Sequence, residues 1–291
     1  MNIWLLLKHK TSLNSYETNR LKDEGNVEVI LHKNVDVIID RDDRKSIRVK
    51  NKVLDLPDVI LPRTGSGTGY FGTSVIRHFE SLNIPVVNSS ECINTVKDKL
   101  YFHQMMQKGG MPTPKTMFVK NPVNCKLVEK TVGFPCVVKV LTGSYGKGVY
   151  LSSSRSNFKD LMEMIHNIKT DEGILVQEYI KSNPGEDLRV IVVGGKVLGA
   201  MKRSSKDGSF KANISRGGKA ENYKLNETIE ELAINTCALL NLEVGGVDIL
   251  FDGSGYKLCE ANSAPGFKEF KKTTEINVAK AIIDYSKSKV S

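Results

Sequence analysis

The chain has 291 residues, 40% of them hydrophobic and 26% charged, with a formal net charge of +9. That is enough chain for two or three small domains around adequate cores, and no apolar run reaches the length of a bilayer-spanning helix. The short apolar start MNIWLLLKHK lacks the basic front, long apolar middle and small-residue cleavage site of a secretory leader, so a first strand is expected there. The five cysteines (Cys92, Cys125, Cys136, Cys237 and Cys259) are odd in number, scattered and never spaced CxxC, which favours reduced thiols and a cytoplasmic protein. The basic residues are spread along the chain, with only a small local cluster at Lys268–Lys272. The excess fits a polyanionic substrate, an acidic peptide or a solvated surface. A nucleic-acid partner is not expected, since no interleaved aromatic pattern accompanies the charge.

In chain order, the first third alternates strand and helix signals. Ile3–Leu7 is an apolar run, Ser15–Glu24 a polar helix stopping at Gly25, Val27–Leu31 a second strand, and Val59–Leu61 a third that ends at Pro62. Gly72–Leu82 follows as a helix and Ile84–Val87 as another short strand. Such alternation predicts a parallel, doubly wound sheet of the α/β class. The charged stretch Asp36–Asp55 reads as a peripheral excursion with a short hairpin.

A second region starts near Asn94. NTVKDKLYFHQMMQKGG carries apolar residues at Val96, Leu100, Met105 and Met106, and Gly109-Gly110 is a helix stop. Strands are expected at Thr116–Val119, Cys136–Val140, Val149–Leu151 and Ile174–Gln177, with a helix over Phe158–Asn167 capped by Ser156. In the third region, two β-rich runs flank Gly194-Gly195, a strong hairpin signal. Glu227–Leu240 is an amphipathic helix, GGVDILFDGSGYKLCEAN a hairpin, and Asn277–Ser286 a closing helix. There are no internal repeats.

The last hairpin carries the most informative chemistry. Asp248 and Glu260 are placed to lie side by side near its open end, and Glu260 and Asn262 share a face by the period of 2. Two carboxylates and an amide oxygen, without His or Cys, suit Mg²⁺ or Mn²⁺ rather than Zn²⁺. A solvated acidic hairpin with an Asx turn would read the same way. VLTGSYGKGVYL joins two strands through glycines that let backbone N–H groups approach phosphate, yet an ordinary hairpin turn needs the same residues. It is neither a P-loop nor a dinucleotide-binding fingerprint. Lys139, on an apolar strand, must either meet an anion such as a phosphate or snorkel to the surface. In LVQEYIK, the main chain past the strand could read an adenine edge, with Glu178 accepting from its amine, and Asp187 could hold ribose hydroxyls; a polar surface turn is the competing reading. Arg63, Arg189 and Arg203 suit bidentate capture of carboxylate or phosphate, or structural ion pairs. No nucleophile–base pair emerges, so an enzyme built from these parts works by metal and arginine electrostatics.

Taken in order, LPRTGS, VKDKL, CVVKV, GSYGKGV, LVQEYIK, DLRVIVVGGKVLGAMKR, NISRGG, GVDIL and CEANSAPGF resemble the ATP-grasp carboxylate–amine ligases, and among them the RimK-type glutamate ligases. The resemblance implies a pre-ATP-grasp domain over residues 1–94, a central ATP-grasp subdomain over 95–180 and a C-terminal one over 181–291. It further implies that Lys99 and Lys139 contact the phosphates of ATP, and that Gln177, Glu178, Tyr179 and Ile180 surround the adenine. Asp187 would hold the ribose, and Lys211 and Asn213 would reach the phosphate end. The glycine-rich loop, with Ser144 and Gly146, would close over the phosphates. Asp248, Glu260 and Asn262 would bind two Mg²⁺ ions, for which Mn²⁺ could substitute. Arg63 and Arg203 would engage the carboxylate substrates, with Arg189 supporting the same pocket. The implied reaction joins an amino acid, L-glutamate foremost, to a carboxylate acceptor on a protein, a peptide or a metabolite through an acyl phosphate. Dimers or tetramers are common assemblies of such proteins, and no membrane partner is implied. The alternative within the same fold is an ATP-binding regulatory protein without efficient ligation. Two departures stand out: Lys211 replaces a common arginine and loses its fork, and Ala264 replaces a common hydroxyl near the acceptor pocket.

Overall fold

Ile3–Leu7 is apolar at every position because both faces of this strand are covered. In the computed structural model, which describes residues 1–39, 46–141, 148–168, 173–206, 208–212 and 217–290, Ile3, Leu5 and Leu7 enter one core and Trp4 and Leu6 another. This strand, β1, is followed by α1 (Tyr16–Glu24), β2 (Val27–Leu31), β3 (Val35–Val37), β4 (Ile47–Val49), β5 (Lys52–Val53), β6 (Val59–Pro62), α2 (Tyr70–Ser81) and α3 (Ser90–Lys97). The strands β2-β1-β6 form a parallel sheet, as the alternation predicts, and Ser15 caps α1 by accepting from the Thr18 N–H. The expected strand at Ile84–Val87 is only a single parallel bridge from Val86 to Ile60. Pro85 supplies a carbonyl to the Ile60 N–H but has no N–H of its own to extend the ladder. The charged excursion forms a small antiparallel sheet β3-β4-β5 rather than a lone hairpin.

The helical pattern that stops at Gly109-Gly110 is divided between two helices, α3 and α4 (Lys99–Lys108). Asp98 stands extended between them, and its side chain accepts from the Tyr101 N–H at 3.0 Å, capping α4. A good capping carboxylate outcompetes helix continuation at this position. Next come β7 (Thr116–Val119), α5 (Cys125–Thr131), β8 (Cys136–Val140), β9 (Val149–Ser152), α6 (Arg155–Ile168) and β10 (Ile174–Glu178). The strands form an antiparallel sheet in the order β7-β10-β8-β9, and α5 and α6 cover one face through Val128, Phe158, Met162 and Ile165. Helix α6 begins one turn earlier than expected. The capping hydroxyl is that of Ser154, which accepts from the Asn157 N–H, so Ser156 lies inside the helix.

The remaining elements are β11 (Glu186–Val193), β12 (Lys196–Ser204), β13 (Lys219–Tyr223), α7 (Glu227–Leu239), β14 (Val244–Asp252), β15 (Gly255–Asn262), α8 (Lys268–Thr274) and α9 (Val278–Ser288). The strands make a second antiparallel sheet, ordered β13-β12-β11-β14-β15. Gly194 and Gly195 turn β11 into β12 with φ of 57° and 74°, values at which L side chains are strained. Along β11, Leu188, Val190 and Val192 pack with α7, while Ile191 and Val193 face α8, α9 and the N-terminal sheet. The cluster KEFKK is the start of α8, whose Phe270 is fully buried, so it is no isolated basic patch.

Candidate active site

The hairpin β14–β15 owes its chemistry to one extra residue. Its connection is two residues long, so an unbroken ladder would set Asp248 opposite Cys259. A bulge between Asp248 and Ile249 takes up Cys259 instead, which places Asp248 opposite Glu260 and Gly246 opposite Asn262. All the oxygen-bearing side chains then share one face. The chain beyond Asn262 turns back over β14 so closely that a Cβ on Gly246 would lie 2.8 Å from Pro265 Cβ.

A row of charges crosses the same face. Register pairs Arg203 with Asp187, Arg189 with Asp248, and Asp248 with Glu260. Arg203 donates through Nε and Nη2 to both Asp187 oxygens at 2.6 Å, and its Nη2 lies 2.9 Å from Asp248 Oδ2. Arg189 grips the two Asp248 oxygens at 2.7 and 2.6 Å. Burial would raise the Asp248 carboxyl, but the two guanidinium groups hold it down to about 2. Glu260 has no such fork. Burial first, and the Asp248 charge second, push it above the usual carboxylate range. Burial likewise raises Asp187 against the pull of Arg203.

Above this face lies a cleft whose other wall is β8, β10 and α4. It is lined by Lys99, Lys139, Gln177, Glu178, Tyr179, Ile180, Asp187, Arg203, Lys211, Asp248, Glu260 and Asn262, so the structure brings together most of the residues singled out from sequence. Lys139 Nζ is 3.9 Å from Cys259 Sγ, beside Glu260, and Lys99 Nζ donates to the Leu141 carbonyl at 3.1 Å. Burial lowers the Lys99 ammonium, with Glu260 opposing and Lys139 adding to the effect. Lys211 Nζ lies 5.3 Å from the Phe210 ring centre and 5.9 Å from that of Tyr150, so aromatic faces hold it at the cleft wall. Arg189 stands behind Asp248, outside the lining. Arg63 also lies outside it, donating from Nη2 to the Pro265 carbonyl at 2.6 Å with its guanidinium over Phe267. Ser144, Gly146 and Asn213 fall outside the described residues.

At the far end, the Gln177 amide donates to Thr116 Oγ1 and pairs with His103 Nε2, both at 2.7 Å, so Gln177 offers the cleft its main chain rather than its side chain. Glu178 Oε1 accepts from the Lys115 N–H at 2.8 Å and from Lys257. Burial opposes its ionisation, but these two donors prevail and lower its pKa. Both Asp187 oxygens already serve Arg203, so a ribose hydroxyl would share them. Sequence reasoning missed Lys97 and Cys259, which line the cleft beside Lys99 and Glu260, and His103 and Lys257, which reach Gln177 and Glu178 through contacts distant in sequence.

The donor set fits a hard divalent cation. It is all oxygen, it carries a carboxylate that burial and the Asp248 charge raise, and the Asn262 amide nitrogen is buried with no hydrogen-bond partner among the described residues. A half-turn of that amide exchanges the nitrogen for an oxygen ligand. Among the described residues, no group of three or more His, Cys, Asp or Glu side chains forms a metal cluster. All five cysteines are free.

A cleft between two antiparallel sheets, with lysines on one wall and buried carboxylates on the other, defines a nucleotide-dependent ligase of the ATP-grasp class. Comparison with known proteins agrees. Residues 96–286 match the RimK-like ATP-grasp domain and residues 1–93 the RimK PreATP-grasp domain. The chain is 35% identical over 293 residues to a Psychromonas ingrahamii protein named "Probable alpha-L-glutamate ligase", covering 98% of this chain and 94% of that one. Its fold is similar to that of a RimK domain ATP-grasp protein from Sphaerobacter thermophilus, with a TM-score of 0.76 at 17% identity over 98% of this chain and 99% of that one. It is similar as well to the ATP-grasp ligase PsnB, solved with a phosphomimetic variant of its minimal precursor, Mg and ADP, with a TM-score of 0.77 at 17% identity over 99% and 98% of the two chains. The protein belongs to the RimK-like ATP-grasp family and is an ATP-dependent ligase. No helix among the described residues is long and apolar enough to cross a membrane.

Proposed function

We propose that this protein activates a carboxylate with ATP and joins it to an amino acid, L-glutamate foremost, forming an amide or peptide bond and releasing ADP and phosphate. The observation that carries this reading is the cross-strand pair Asp248–Glu260, with Asn262 beside it, facing Lys99 and Lys139 across one cleft. In this reading, the main chain of Gln177, Glu178, Tyr179 and Ile180 surrounds the adenine and Asp187 meets the ribose. Lys99, Lys139 and Lys211 neutralise the triphosphate, aided by Ser144, Gly146 and Asn213. Asp248, Glu260 and Asn262 hold Mg²⁺ or Mn²⁺, which when bound would supply positive charge to the phosphates. The acid attacks the γ-phosphate, the resulting acyl phosphate is held away from water, and the amine displaces phosphate. Arg203 and Arg63 orient the carboxylates, while Arg189 keeps Asp248 ionised. The units at 1–94, 95–180 and 181–291 serve as substrate-side, nucleotide-side and metal-side parts, and a cytoplasmic setting supplies the nucleotide.

The acceptor is a protein or peptide C-terminus or a small carboxylate metabolite; the curated relative's name supports glutamate as the added residue. The test is ADP release and product mass with L-glutamate against a panel of other amino acids, over peptide and metabolite acceptors. Glutamate-dependent ADP release that disappears in Glu260→Ala is the expected result. Equal release in that variant, or none with any amino acid while ATP still binds, would overturn the reading.

A further inference from the structure

The ligand residues proposed above sit at the open end of β14–β15, where the two strands of a hairpin are no longer tied by their own turn. One side chain from the N-terminal region reaches across to that end. Asn88 Oδ1 accepts from the Glu243 and Val244 N–H groups at 2.7 and 2.9 Å. Its Nδ2 donates to the carbonyls of Val244 at 2.8 Å and Ser263 at 2.9 Å. The residue is 1% exposed, and each donor and acceptor position of its amide is filled. Val244 opens β14, the strand of Asp248, and Ser263 directly follows Asn262. A single amide therefore bridges both strands at the end that carries the ligands.

Asn88 is itself firmly mounted. The Val87 N–H donates to the Ile60 carbonyl at 3.0 Å, and the Ser90 N–H and Oγ each donate to a Glu80 oxygen at 2.6 Å. Between Val244 and Asp248, the strand contains Gly245 and Gly246, which have no side chains with which to fix their own spacing.

We propose that Asn88 is a positioning residue for the divalent-cation site. It sets the distance between the start of β14 and the end of β15, and through them the mutual geometry of Asp248, Glu260 and Asn262. The inference rests on the metal-ligand reading above, and the four hydrogen bonds of the Asn88 amide go to the main chain of Glu243, Val244 and Ser263. Supports one step removed from the ligands commonly decide whether a metal site binds tightly.

The test measures Mn²⁺ affinity by the electron paramagnetic resonance of free Mn²⁺, on the full chain with a non-hydrolysable ATP analogue. Analogue binding without metal and unfolding temperature are followed in parallel. Asn88→Ala removes the bridge, and Asn88→Asp keeps its shape and acceptors but turns an oxygen toward two carbonyls. Both are expected to weaken Mn²⁺ binding roughly 10- to 100-fold while metal-free analogue binding stays unchanged. Ile165→Ala, a core truncation in α6, should lower the unfolding temperature without moving Mn²⁺ affinity. Glu260→Gln tests the ligand set itself: Mn²⁺ binding that survives it removes the premise. Loss in Glu260→Gln with full retention in both Asn88 variants overturns the positioning role alone, as does equal weakening in Ile165→Ala. Should both Asn88 variants fail to fold, hydrogen exchange in the parent decides. Saturating Mn²⁺ and analogue should slow the Glu243 and Val244 amides, since ligation and bridge favour one geometry, and unchanged exchange would refute the coupling.

Discussion

The two ends of the cleft are built on opposite electrostatic principles. Where β10 meets α4, the polar side chains are already matched: Gln177 with Thr116 and His103, and Glu178 with Lys115 and Lys257. That end presents finished backbone. At the other end, Asp187, Asp248, Arg189 and Arg203 pair among themselves, and Glu260 is left as a carboxylate that burial and its neighbour disfavour. The difference teaches where binding energy is to be gained. A matched end can only read shape, whereas an end with surplus negative charge rewards a cation. Such an arrangement costs stability in the absence of a cation.

Removing the surplus charge should break the contrast most sharply. Glu260→Gln is expected to cut ADP release by about a thousandfold or more, if the metal contributes several kcal/mol to the transition state. The same change should raise the unfolding temperature of the protein without nucleotide. The sign follows from linkage: the folded pKa of Glu260 lies above its unfolded value, so ionisation weakens the fold as pH rises through the carboxylate range. Assays of activity and thermal unfolding on one preparation check both halves.

Arg203→Ala attacks the matched part of the same end. Arg203 is 4% exposed and serves both Asp187 and Asp248, so its loss leaves Asp187 buried without a fork and Asp248 with Arg189 alone. A loss of about 3–5 kcal/mol in urea unfolding is expected, with Arg203→Lys intermediate because the ammonium cannot serve both carboxylates in the plane of a guanidinium.

At the nucleotide end, pH is the sharper probe. Burial first, and Lys139 second, push the His103 pKa down to about 3. The unfolded chain takes up that proton near pH 6.5 and the folded chain does not, so the stability that depends on neutral His103 is complete above pH 6.5. It declines as pH falls toward 3, by at most about 1.4 kcal/mol per pH unit. Unfolding measured from pH 7 to 4 should show this slope in the parent and a flatter one in His103→Gln. The smallest effect is expected for Lys257→Met. Glu178 keeps its backbone donor, both side chains are partly solvated, and the change should cost about 1 kcal/mol or less, read as a few-fold rise in KM for ATP.

Much of this architecture is legible in the chain. The apolar run at Ile3–Leu7, the Gly194-Gly195 turn and the acidic hairpin are encoded by neighbours a few residues apart, and each forms where its pattern places it. The adjacency of Asp248 and Glu260 is legible too, but the bulge at Cys259 that creates it is not, since an unbroken ladder fits the same residues. Asp98 was readable as a cap only by weighing its carboxylate against a helical pattern that runs straight through it. Arg63 shows the limit most plainly. Its hydrogen bond to the Pro265 carbonyl, 202 residues away, is made by the fold and is not legible in LPRTGS.

By itself, the sequence determined which segments become strands and helices and which residue types could meet a triphosphate and a hard cation, because periodicity, capping and ligand chemistry are local properties. Only the tertiary structure decided that Arg189 and Arg203 grip Asp248 while Glu260 has no fork of its own, and that Asn88 bridges the ends of the hairpin. Those outcomes depend on strand order and on the distance between chains brought together by a shared core, and no stretch of neighbouring residues carries that information.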